Sequence, residues 1–223
     1  MTWGNNAAGV PWQINRDYAD DFEASAARGR IANPDTGVFR TAFMPYELTD
    51  VDLTVNVQTD QMAEGSWINS FIQARAVGED NALSARIEFR DSGNYSISLY
   101  QIVDGEYSVL GTQVYGSYSA SSPVMIRFQV TGDYARAKSW DHGSREPDHW
   151  QVGRTTTVLH PGRIGLGSVL SDGNTNDSPE VSWGRFRVAN PQLFTVVRSV
   201  NGVVKPHDTG TSVSLAHPSV LAL

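Results

Sequence analysis

Residues able to move protons or hold ions are sparse in this chain, and their spacing sets them apart from one another. Glu88 stands between Arg86 and Arg90 at alternate positions, and Glu79-Asp80 falls among turn-forming residues. Cleaving a glycosidic bond takes two carboxyl groups roughly 5–9 Å apart across the bond. An Arg-x-Glu-x-Arg alternation builds a cross-strand salt link instead. Asp141-His142 and Asp148-His149 share the loop between Trp140 and Trp150, a set of N and O donors of the kind zinc takes. The Gly, Ser, Arg and Pro content of that loop argues for solvated side chains. His160 precedes a Pro-Gly turn, while His207 and His217 lie near the C-terminus. The sequence contains no nucleophile elbow, no G-x-G-x-x-G and no P-loop. The expectation is therefore no catalytic residue, no metal ligand and no enzyme.

Hydroxyl recognition is the chemistry the residues support better. Leu83, Ala85, Ile87 and Phe89 alternate with Ser84, Arg86, Glu88 and Arg90, so a strand here points the polar set to one face. The following strand adds Ser98 and Tyr100, and the segment 67–76 adds Gln73 and Arg75 in one of two registers. Sugars are held by an aromatic face plus a few placed polar groups. Gln73, Arg75, Arg86, Glu88 and Tyr100 are accordingly the candidate glycan-binding set. The same strip suits an ordinary solvated sheet face, and both readings stand at this point.

The elements that must position these residues are strands. Val51, Leu53, Val55 and Val57 alternate strictly with polar neighbours, and comparable runs cover 95–102, 107–114, 124–131, 134–140, 163–169 and 181–188. Turn signals separate them, with Asp91-Ser-Gly-Asn, Asp104-Gly105 and Gly132-Asp133 the clearest. Such spacing predicts an all-β sandwich. Residues 1–19 read as an N-terminal arm, 20–191 as the sandwich, and 192–223 as a short β-meander centred on Asn201-Gly202 with an apolar tail. The only passage with helical potential is Asp17–Arg28, which Gly29 would end.

Composition excludes several partners. The net charge is −7 with two lysines, Lys138 and Lys205, so neither nucleic acid nor an anionic membrane is expected. No apolar run reaches the roughly 18 residues of a membrane span. With no cysteine there are no disulfides or thiolate sites. Met1-Thr-Trp-Gly-Asn-Asn lacks the features of a signal peptide, so work outside a cell would require another route, of which release within a phage particle is one.

Two passages resemble known families. Arg127-Phe-Gln-Val-Thr-Gly-Asp-Tyr-Ala-Arg-Ala-Lys-Ser-Trp140, Glu146-Pro-Asp-His-Trp150 and Trp183-Gly-Arg-Phe-Arg-Val-Ala-Asn-Pro191 resemble the late strands of concanavalin-like, laminin-G-like jelly rolls. Thr195-Val-Val-Arg-Ser-Val-Asn-Gly-Val-Val-Lys-Pro-His207, Gly210-Thr-Ser-Val-Ser-Leu215 and the final Val-Leu-Ala-Leu223 resemble the endings of minor tail proteins of actinobacterial phages. Together the resemblances imply a concanavalin-like jelly-roll β-sandwich in a phage tail. They further imply other tail proteins as partners, a homo-oligomer such as a trimer with 192–223 at its interface, a virion location, and a host-surface glycan as ligand. A secreted lectin-like module, acting extracellularly, is the alternative. A glycoside hydrolase on the same fold is a further one, although the Glu-x-Asp-x-Glu run of such hydrolases does not occur here. No cofactor is expected. Relatives of this jelly roll often place calcium between an early Asp-Asp-Phe and an Asp in the closing strand. Here Asp20-Asp21-Phe22 is present, but the closing position holds Gly184 or Arg185.

Overall fold

The computed structural model describes residues 3–189 apart from Ala7, Ala26 and Glu79. In chain order the strands are β1 (Gln13–Ile14), β2 (Phe22–Ser25), β3 (Arg28–Ala32), β4 (Arg40–Leu48), β5 (Val51–Thr59), β6 (Ile68–Val77) and β7 (Asn81–Phe89). They continue as β8 (Asn94–Val103), β9 (Glu106–Ser117), β10 (Val124–Thr131), β11 (Tyr134–Asp141), β12 (Val152–Thr155), β13 (Gly162–Leu170) and β14 (Glu180–Ala189). They form two seven-stranded sheets, ordered β1-β4-β13-β6-β7-β8-β9 and β12-β11-β10-β5-β14-β3-β2. The pairings within both sheets are antiparallel.

The two-residue rhythm builds the core directly. Val51, Leu53, Val55 and Val57 of β5 join Ile126 and Phe128 of β10 in one buried cluster with Leu83, Ala85, Ile87 and Phe89 of β7. The Asp104-Gly105 turn has both residues in the left-handed region, φ 50° and 82°, as the hairpin between β8 and β9 requires.

The N-terminal residues do not stand off as an arm. Trp3 is 5% exposed, and its indole N–H lies within hydrogen-bonding distance of the Glu23 and Arg30 carbonyls. Its ring meets Trp12, Phe22 and Trp183 edge-on. Gly29 leaves room for it, since a Cβ there would sit 2.4 Å from the Trp3 ring. The helix expected over 17–28 is a 3-10 segment, Arg16–Asp21, followed by β2. A tight turn at Ala27 (φ 62°) lets Phe22–Ser25 pair with Arg28–Ile31, and this edge pairing overrides local helical preference. The meander expected over 192–223 lies outside the described residues.

Candidate functional site

The face of the first sheet that points away from the core carries two cross-strand rows. Phe43, Gly165, Gln73, Ser84, Tyr100 and Val109 are in register across β4-β13-β6-β7-β8-β9. Beside them run Thr41, Gly167, Phe71, Arg86, Ser98 and Thr112. The two glycines, in phase on β13, make this face an aromatic one. A Cβ at Gly165 would come within 2.5 Å of the Phe43 ring, and one at Gly167 within 2.4 Å of the Phe71 ring. Both rings therefore lie across β13, where any other residue would push them off.

Among the described residues no second sheet covers this face, yet several of its polar residues are buried. Gln73 is 7% exposed, Ser84 2%, Arg86 9% and Glu88 2%. A solvated face does not describe these four residues, although Val109 and Thr112 in the same rows are exposed. Phe39, just ahead of β4, and Tyr107, at the start of β9, reach each other with ring centroids 5.5 Å apart. The Arg86 guanidinium lies 5.7 Å from Phe39, 5.8 Å from Tyr107, 5.7 Å from Phe71 and 4.0 Å from Tyr100. Four rings enclose it, and burial pulls its pKa below the ordinary arginine value.

Glu88 is fully engaged. Its carboxylate accepts from the Tyr100 hydroxyl at 2.7 Å and the Ser96 hydroxyl at 2.5 Å, and pairs with Arg90 at 3.5 Å. Burial first, then the bond to Glu88, pushes the Tyr100 hydroxyl well above its usual pKa. The cross-strand salt link expected for Glu88 is found on its Arg90 side, whereas Arg86 forms no ion pair among the described residues.

Other atoms on this face are left open. Buried polar atoms are almost always hydrogen-bonded. Five buried side-chain atoms among the described residues have no partner, and three of them, Gln73 Oε1, Ser84 Oγ and Arg86 Nε, belong to these two rows. Of these three, Gln73 borders a cavity of about 380 Å³ lined also by Phe39, Phe43 and Tyr107, with Asn15 and Tyr18 on its wall. A second, of about 890 Å³, is bounded by Trp12, Arg16 and Arg163. The two share Asn15, Thr41, Phe43 and Gly78, so they form one groove.

No family model matches the sequence, and no curated protein matches it either. Solved structures do resemble it. The carbohydrate-binding module CBM66 from Bacillus subtilis superposes with a TM-score of 0.58 at 10% identity, over 79% of this chain and 94% of that one. A β-glucanase of Bacillus licheniformis gives 0.59 at 13%, over 85% and 96%. The carbohydrate recognition domain of Emp46p, in its metal-free form, gives 0.56 at 10%, over 82% and 89%. The fold is a concanavalin-like jelly roll. At these identities the likeness fixes architecture and leaves the ligand to be argued from the residues.

Of the five residues expected on the glycan face, Gln73, Arg86, Glu88 and Tyr100 are brought together there. Arg75 is not. The ladder between β6 and β7 shifts register between Ala74 and Val77, and Arg75 takes a left-handed φ of 53°. Its side chain turns inward, fully buried, and donates to the carbonyls of Thr49 at 2.7 Å, Val158 at 2.5 Å and Gly132 at 2.7 Å. It ties loops together instead of lining the groove. The sequence reading also missed Phe39, Phe43 and Tyr107. The available signal was Gly165-Leu-Gly167, alternate glycines in a strand that clear space on one face for neighbouring rings.

The calcium donors implied by the resemblance do not fit an ion. Asp21 is taken by the buried Arg40 guanidinium at 2.6 Å, Asp20 is exposed, and positions 184 and 185 supply no carboxylate. The two Asp-His pairs are exposed, at the end of β11 and on the loop after it, where Asp148 pairs with Arg145. No group of three metal-ligating side chains converges among the described residues.

Proposed function

We propose that this chain is a carbohydrate-binding protein whose groove, on the outer face of the first sheet, holds a glycan. The observation that carries the reading is the coincidence of three unpartnered buried polar atoms with aromatic rings held flat by glycines. A sugar ring would lay its apolar side on Phe43 and fill the open valences of Gln73 and Ser84 with its hydroxyls. The likeness to a carbohydrate-binding module and to a carbohydrate recognition domain supports it. Binding without cleavage is part of the proposal, because Glu88 has both oxygens occupied and, among the described residues, only Asp17 adds a carboxylate to the groove lining, whereas hydrolysis needs a pair flanking the bond. The test is calorimetric titration with a panel of soluble polysaccharides. At least one should bind, and Phe43→Leu, which keeps an apolar side chain but removes the flat face, should weaken it about tenfold. Silence across the panel would refute the proposal.

Where the glycan is met is a finer reading. The wording of 195–223 supports a phage-tail component, carried on a virion and assembled through 192–223 as a homo-oligomer with other tail proteins. The structural neighbours lend that nothing and accord better with an extracellular lectin-like module. Mass spectrometry of purified virions decides between them, since absence of the chain removes the tail reading and leaves glycan binding intact.

A further inference from the structure

The groove and the chain differ in charge. The chain carries −7, yet the charged residues lining the two joined cavities are, among the described residues, Arg16, Arg163 and a single acid, Asp17. Arg86 adds a third cation below the floor, with its Nε unpartnered. None of these three arginines forms an ion pair among the described residues, which is also true of Arg28, Arg136, Arg154, Arg185 and Arg187, whereas Arg30, Arg40, Arg75, Arg90, Arg127 and Arg145 do. Arg163 is held by a ring and an amide instead. Its guanidinium lies 4.3 Å from the centre of Phe43, the ring shared by both cavities, and donates to Gln13 Oε1 at 3.4 Å. Uncompensated cations in a walled groove concentrate their field there. A guanidinium fork matches a carboxylate, and bonds between ionised partners are roughly twice as strong as neutral ones.

Building on the glycan-binding reading above, we infer that the ligand is an acidic polysaccharide, with sugar rings on Phe43 and carboxylates at Arg163 and Arg16. Gln73 and Ser84 take neutral hydroxyls, and Arg86 adds attraction from beneath. A neutral glycan would use the rings and leave the cations facing water.

The experiment titrates the full chain with polygalacturonate, alginate and hyaluronate, each beside its carboxyl-reduced neutral form, with levan and β-glucan as further neutral probes. At least one acidic polymer should bind, and carboxyl reduction should weaken it tenfold or more. The double variant Arg16→Gln, Arg163→Gln should lose the same factor for the acidic form and much less for the reduced one. Arg16 is exposed and Arg163 half-buried, so both changes spare the core, and an unchanged melting temperature checks this. Equal affinity for acidic and reduced forms, or for the double variant and the parent, overturns the acid preference while glycan binding stands. Binding to neutral probes alone does the same. No binding to any polymer overturns both.

Discussion

The two sheets each present a polar outer face rich in arginine and aromatic residues, and the two faces are finished differently. On the second sheet Arg127 grips Asp52 with two bonds, 2.8 and 2.6 Å, and reaches Glu146 at 2.6 Å. Lys138 meets the same Glu146 oxygen at 2.7 Å and the Pro147 carbonyl at 2.7 Å. Gln129 links Asp52 to Arg136, and Trp150 lies against Arg136 at 4.3 Å and Lys138 at 4.8 Å. Arg127, Arg136 and Lys138 each have a partner there, and Arg127 is pushed above the ordinary arginine pKa by its bond to Asp52. On the first sheet Arg86 has rings around it and no carboxylate paired with it among the described residues. The lesson is that a polar strip says little until its valences are counted. A closed network holds a structure together, whereas an open one, at about 1–3 kcal/mol per buried orphan, is a standing cost that a ligand would relieve.

This contrast is broken most forcefully from the closed side. Asp52→Ala strips two bonds from Arg127 and one from Gln129 in a largely buried setting. Removing one partner of such a pair costs about 3 kcal/mol. For a chain of this size that is a fall of roughly 6–12 °C in melting temperature, read by circular dichroism. Glycan affinity should be unaffected. Gly165→Ala comes next and acts on the open side. Its Cβ would press on the Phe43 ring at 2.5 Å and the Ala42 carbonyl at 2.8 Å. Overpacking of this kind costs about 2 kcal/mol, and here it also displaces the platform. Both stability and binding should fall, and unaltered binding would show that Phe43 is not the stacking surface.

The fold was legible because its signal is local. Val51, Leu53, Val55 and Val57, or Leu83 through Phe89, announce their faces by alternation alone, and Asp104-Gly105 announces its turn. Strands without that rhythm were missed. In β4, Arg40–Leu48, the inward set includes a fully buried arginine whose partners, Asp21 and Asp35, arrive from elsewhere in the chain. The site was legible in part. Gln73, Arg86, Glu88 and Tyr100 followed from strand phase, and Arg75 failed because a bulge reverses phase without marking the sequence. Phe39 and Tyr107 were invisible for a different reason. They meet only when residues ahead of β4 and at the start of β9 converge, and no local pattern encodes such a meeting.

The remaining predictions use small effects to separate the faces. Arg86→Met exchanges a desolvated cation for an apolar chain of similar reach among Phe39, Phe71, Tyr100 and Tyr107. Lost cation–π attraction and relieved desolvation oppose each other, so stability should move by less than about 1 kcal/mol. Binding of an acidic glycan should weaken. Glu146 supplies the counterpart. Burial raises its pKa, but the bonds from Lys138 and Arg127 outweigh that and hold it below the usual carboxylate range. A carboxyl group depressed in the folded state stabilises above its unfolded pKa, and that stabilisation disappears as pH falls through the folded value. Melting temperatures of the parent and Glu146→Gln should therefore differ at neutral pH and converge below about pH 4. The gap between the parent and Arg86→Met should stay level across the same range, because no proton leaves or joins a guanidinium there. If both gaps closed together on acidification, Arg86 would have a carboxylate partner after all, and the open face would have to be counted as a closed one.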